Sequence, residues 1–214
     1  MAKAKSSQRK ASAPKRAGAV KPRATAAKAR ARRGSAQRSA RSAASKRAPV
    51  QKHATAFAAP RELRQQLAEL LDGDHAHADF HKAAANWPAH LVGQRPAGAP
   101  YTPWQILEHM RIAQWDILNF SLNPQHTSPS WPTGYWPPSE SPAPGEWEKS
   151  VAAFEHDLEA LRRLALDPKQ DLFRPIPHGA GQTLLREIML AADHNSNHLG
   201  QLILLRRLQN AWPS

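Results

Sequence analysis

After residue 55 the chain carries four stretches in which apolar residues recur every three or four positions, and no convincing stretch in which they alternate. A repeat near 3.6 belongs to helices that bury one side, and alternation belongs to strands. The expected fold class is therefore all-α. The first stretch opens at Pro60, a residue favoured at the first helical position, and sets Leu63, Leu67, Leu70 and Leu71 on one side. Its spacing predicts a helix running on through His77 and Phe80 towards Trp87, stopping before Pro88.

The second stretch begins at Thr102-Pro103-Trp104-Gln105, the pattern of a capping box with proline where no donor is needed. Ile106, His109, Ala113 and Ile117 then share a face, and the helix should end near Asn123-Pro124. The third follows Pro144-Gly145, carries Trp147, Val151, Phe154, Leu158, Leu161 and Ala165, and is closed by Pro168. The fourth starts near Thr183, a good N-cap, and runs through Leu184, Ile188, Ala191, Ala192, Leu199, Leu202 and Leu205 to about Gln209. Four helices without a sheet make a four-helix bundle, with connections long enough for a non-sequential helix order. The connection from Asn123 to Pro144 holds Trp131, Tyr135 and Trp136. Those aromatics either lid a pocket or simply pack the loop.

Charge separates this bundle from what precedes it. The formal charge of +13 is the sum of +17 in residues 1–52, which hold no Asp or Glu, and −4 in residues 53–214. The basic segment is built of Ala, Lys, Arg and Ser, with almost no large apolar side chain, so it is expected to be disordered. The boundaries read as a disordered tail over 1–54 and a bundle domain over 55–214. The tail is either a solvated appendage, a stretch upstream of the true start, or a salt-sensitive, sequence-independent contact for nucleic acid. The chain has no cysteine, which excludes disulfides and thiolate ligands. No apolar run approaches the ~20 residues that span a bilayer, and a cytoplasmic protein without membrane contact is expected.

His194 and His198 stand four residues apart on the fourth helix, so they project from one face a turn apart. With 11 histidines in the chain the spacing alone is a modest signal. Their stripe, however, also carries Ala191 and Leu205, and His109 lies likewise between Ile106 and Ala113. Histidines on apolar faces are either hydrogen-bonded internally or bound to something. Three of them on two inward faces favour one shared divalent ion.

Two segments carry a family likeness. Trp104-Gln105-Ile106-Leu107-Glu108-His109, together with Ala192-Asp193-His194-Asn195-Ser196-Asn197-His198-Leu199-Gly200-Gln201-Leu202, resembles the two signature helices of DinB-like proteins. The resemblance covers roughly residues 60–212. It implies a four-helix bundle in which His109, His194 and His198 ligate one divalent metal ion, with zinc, nickel, iron and manganese all acceptable to such a set. It also implies kinship with metal-dependent enzymes that use low-molecular-weight thiols such as bacillithiol or mycothiol. The expected function is thus a metal-dependent thiol S-transferase acting on a small molecule. A metal-dependent hydrolase, or a non-catalytic stress-related protein whose tail contacts nucleic acid, is the alternative. A homodimer is compatible with the fold.

Further residues follow from this placement. Asp193, Asn195 or Glu108 could orient the imidazoles, though Glu108 and Asp193 read equally as surface charge. Gly200 is expected to let helices approach closely, and Gln201 to face the site. His178, in the Gly-rich turn before the fourth helix, is either a catalytic proton shuttle or an exposed loop residue. His75, His77 and His81 are placed on the first helix, as a second ion site or as exposed residues lining the pocket mouth.

Overall fold

The computed structural model describes residues 59–213. The expected disordered tail over 1–54 and nucleic-acid contact through 1–52 lie outside the described residues. Five helices are present: α1 Arg61–Asp72, α2 Phe80–Ala84, α3 Pro103–Leu122, α4 Glu146–Leu166 and α5 Leu184–Leu208. Among the described residues there is no strand, only an isolated bridge between Pro175 and Thr183. No described helix is long and apolar enough to cross a membrane.

The helix ends follow local chemistry. At the start of α3, Thr102 Oγ1 accepts from the Gln105 amide at 3.2 Å, and Gln105 Oε1 accepts from the Thr102 amide at 3.0 Å. Thr183 accepts from the Arg186 amide at 3.2 Å at the start of α5. The first helix is shorter than its apolar spacing predicts. It stops at Gly73, whose φ of 72° is left-handed and whose amide bonds back to the Glu69 carbonyl. Asp79 then caps the separate short α2, so of the three clustered histidines only His81 stands on a helix.

α1, α3, α4 and α5 form the bundle. α3 packs between α4 and α5, and α1 closes the ring on the other side against the same two helices. Consecutive helices α1 and α3 therefore lie across a diagonal, which the long connection carrying α2 makes feasible. One part of the core gathers Phe80, Trp87, Trp104, Leu107, Met110 and Phe154 around the C-terminal half of α5. The other joins α1 to the N-terminal half of α5 through Leu67, Leu71, Ile117, Leu161, Leu172 and Ile188. Buried polar side chains bind the helices between them: Asn195 Nδ2 donates to Gln114 Oε1 at 2.7 Å, and Gln114 Nε2 donates to the Phe154 carbonyl at 2.7 Å.

Gly200 does not serve close helix approach. It is exposed, and a Cβ there would meet nothing within 4 Å. A glycine inside an exposed helical turn costs about 0.5–1 kcal/mol relative to alanine. Gly200→Ala is expected to stabilise the protein by about that amount, measured by denaturant unfolding.

Candidate metal centre

α3 and α5 run antiparallel, and their seam brings three imidazoles together. One ring nitrogen from each of His109, His194 and His198 lies within 4.8 Å of the others. Nε2 of His109 and Nε2 of His194 are 3.1 Å apart. Two nitrogens bound to one ion at about 2.05 Å stand about 2.9 Å apart at a right angle and about 3.3 Å apart at the tetrahedral angle. The observed separation falls between these values, so the His109–His194 pair fits a divalent ion, and His198 stands near enough to be the third ligand.

The opposite edge of each ring decides which nitrogen is free. His109 Nδ1 donates to the Tyr135 carbonyl at 2.9 Å, and His198 Nδ1 donates to Gln201 Oε1 at 3.2 Å. Both arrangements put the proton on Nδ1 and leave the Nε2 lone pair to the centre. His194 Nδ1 and Asn195 Oδ1 are both buried without a well-formed partner. They are complementary, since Asn195 has its Nδ2 committed to Gln114 and an acceptor left over. A proton on His194 Nδ1 shared with that oxygen gives the third ring the same tautomer.

Electrostatics keep the rings neutral. Burial, followed by repulsion from His198 and His109, pushes His194 from the ordinary 6.5 down to about 4. Burial lowers His109 and His198 as well, against a smaller opposing effect of their hydrogen bonds. Lowered values mean that protons compete with a metal only well below the ordinary histidine range. Metal affinity is expected to hold through the ordinary histidine value of 6.5 and to be lost as pH falls towards about 4, where His194 takes up its proton. Chelator competition across that range checks this; a fall that begins already at about pH 7 would contradict it.

The loop after α3 forms one wall. The Trp136 ring stacks on His109 with centroids 4.1 Å apart, and Tyr101 stacks on Trp136 at 4.4 Å. Tyr135 supplies the carbonyl to His109, while its hydroxyl donates to Asp116 Oδ2 at 2.6 Å. Asp116 Oδ1 also takes a 2.7 Å bond from His126 Nε2. Burial first, then the bond to Asp116, raises the Tyr135 phenol to about 12, so it stays a donor. Asp116, one loop histidine and one loop tyrosine thus pin the loop to α3 behind the centre. Asp116→Ala is expected to weaken metal binding without altering a ligand, by less than the about 10–100-fold cost of losing a direct partner of a ligating histidine, because Asp116 acts through Tyr135. Chelator competition on that variant tests it.

Other sequence candidates fall elsewhere. Trp131 is 79% exposed and packs edge-on against Tyr135 with ring centroids 5.5 Å apart, away from the imidazoles. His178 is exposed and bonds to the Phe120 carbonyl at 2.6 Å, eleven residues along α3 from His109, or about 16 Å at 1.5 Å per residue. His75 is exposed beside Asp74 at 3.5 Å, His77 contacts Ser196 Oγ at 3.2 Å, and His81 contacts Glu155 at 2.9 Å. These three do not converge on one ion. Glu108 is neither surface charge nor an imidazole orienter: its buried carboxylate is held by Arg111 at 2.8 Å and by Ser150 of α4. Asp193 is exposed. The Tyr135 carbonyl and Asp116 were missed; a carbonyl donor leaves no trace in residue type, but a lone Asp between apolar positions on a core helix was a readable signal.

The model of the DinB superfamily matches residues 73–202. The chain belongs to the DinB superfamily. The matched span contains all three histidines of the DinB centre and leaves α1 just outside. No curated protein and no solved structure matches this DinB chain.

Proposed function

We propose that this protein is a divalent-metal-dependent enzyme acting on a small molecule, and that its reaction is transfer of a thiol sulfur to an electrophile. The observation that carries the reading is the convergence of His109, His194 and His198, with Nδ1 of His109 and of His198 turned to internal acceptors. Three protein ligands leave an ion with open positions, the arrangement of reactive rather than structural centres. When bound, the ion would supply Lewis acidity, holding a thiol as thiolate or lowering the pKa of a water towards ~7. The chain's own residues do the rest. His109, His194 and His198 hold the ion, and the Tyr135 carbonyl and Gln201 fix ring orientation. Trp136 shields one side of the centre from water.

The test is incubation of metal-loaded full chain with a panel of thiols and electrophiles. Metal-dependent consumption of both partners, lost in His194→Ala, is the expected result. No turnover, or unchanged turnover in the variant, would overturn the proposal; hydrolysis of the electrophile without thiol uptake would favour a hydrolase. A second reading rests on the 17 basic and no acidic residues of 1–52. It predicts salt-sensitive DNA binding that disappears on deleting 1–52 while metal content is unchanged. Retained binding by the shortened protein would rule the segment out.

A further inference from the structure

The α3–α5 seam continues past the histidines into a cavity of about 340 Å³. On α5, His194, His198, Gln201 and Leu205 follow one another on a single stripe, so the cavity begins one turn beyond His198. On the other side Ile106 stands one turn before His109 on α3. Two residues belong to both places. Gln201 lines the cavity and orients His198, and Tyr101 lines it while stacking on the Trp136 that covers His109.

The lining is chemically one-sided. Tyr101, Ile106, Leu204, Leu205 and Leu208 provide most of its wall, the rest is the small-residue turn from Ala97 to Pro100, and it contains no charged side chain. Gln201 is its one amide. Its Oε1 is taken by His198, so its Nε2 is left to donate at the end nearest the metal centre. A ligand with carboxylates or an ammonium group would find no counter-charge in this lining. The volume lies at the lower end of the range of small-molecule pockets. A somewhat larger apolar cavity, of about 390 Å³, lies against Ser196 and Leu199 on the opposite face of α5 and carries Glu69 and Asp72 at its rim.

We propose that the cavity between the 97–101 turn and the end of α5 binds the apolar body of an uncharged small molecule, whose hydrogen-bond acceptor meets Gln201 beside the metal centre. This rests on the metal-centre reading for its orientation, and it assigns the cavity to the electrophile rather than to a charged thiol.

The experiment uses the full chain and the neutral fluorescent probe N-phenyl-1-naphthylamine. Binding is compared in wild type, in Leu205→Trp, which fills the cavity, and in Leu208→Glu, which puts a carboxylate on its rim at a position 53% exposed and so spares the fold. Both variants are expected to weaken binding by about tenfold or more. Probe proton resonances should broaden in protein loaded with Mn²⁺ and not with Zn²⁺. Unchanged binding in both variants overturns the proposal while leaving the metal centre untouched. Binding that the variants abolish in a protein that takes up no ion supports the cavity and overturns the metal reading instead. A dimer that Leu208→Glu dissociates, with no probe bound, overturns the proposal in favour of a second copy of the chain covering this face.

Discussion

Replacing His194 with alanine is expected to lower metal affinity by about a thousandfold, or about 4 kcal/mol. His194 is the ligand whose protonation is most suppressed: its value of about 4 reflects burial first, then the two neighbouring rings. Its loss leaves two imidazoles for an ion that needs at least three protein ligands to be held at a reactive centre. The ion-free variant should lose some stability too, because the substitution takes His194 Nδ1 away from the buried Asn195 Oδ1. The contrast appears when metal is added. A ligand at 100 times its dissociation constant adds about 2.7 kcal/mol, or about 5–10 °C in Tm for a chain of this size. Wild type should show that rise in a thermal melt, and His194→Ala should show none.

The second large effect lies away from the centre. Arg206→Ala is expected to cost about 3–5 kcal/mol and to lower Tm by about 10 °C or more. Arg206 is 2% exposed, although it stands near the end of α5 in a run that reads as surface. Its Nε donates to the Ala211 carbonyl at 2.8 Å. Its Nη1 donates to the carbonyls of Lys82 and Ala83 at 3.0 and 2.7 Å, and its Nη2 to that of Ala85 at 2.9 Å. The guanidinium also sits 5.2 Å from the centroid of the Trp87 ring. Among the described residues no carboxylate pairs with it, so backbone carbonyls and aromatic faces hold the charge. Alanine would strand the carbonyls that close α2 and leave a cavity beside Trp87. Lysine should recover only part of the loss, because a single ammonium cannot span the fork that the guanidinium fills. A Tm for Arg206→Ala within about 2 °C of wild type would contradict this.

Much of the fold was legible because helix ends are local. The capping box at Thr102, the N-cap at Thr183 and the stops before Pro124 and Pro168 need only a few neighbouring residues to operate, and each sits where its sequence placed it. The extent of α1 was misjudged for a reason that was also local. Gly73 follows Leu70-Leu71-Asp72 as a C-terminal glycine does, but the apolar spacing carried on past it through His77 and Phe80. Periodicity continued after the helix stopped because the chain still packs its next short helix on the same core.

The histidine cluster was legible to the extent that a face is. Inward positions of two helices named the three histidines, and a helix wheel put Gln201 beside them. What tertiary packing alone decides was not readable. The Tyr135 carbonyl, the Asp116–His126–Tyr135 bonds and the Trp136 stack all depend on how the 123–145 connection folds back. Glu108 and Arg206 were hidden by residue type: charged side chains are expected outside, and here hydrogen bonds satisfy them inside. Arg206 did carry a signal, since it continues the Leu199 and Leu202 face at helical spacing.

The central claim is that His109, His194 and His198 form one metal-binding centre. Metal analysis of the purified full chain beside His109→Ala tests it most directly. One divalent ion per chain in wild type, and a loss of nearly all of it in the variant, is the result predicted. Wild type without bound metal after exposure to zinc, nickel, iron or manganese, or equal metal content in the two proteins, would contradict it.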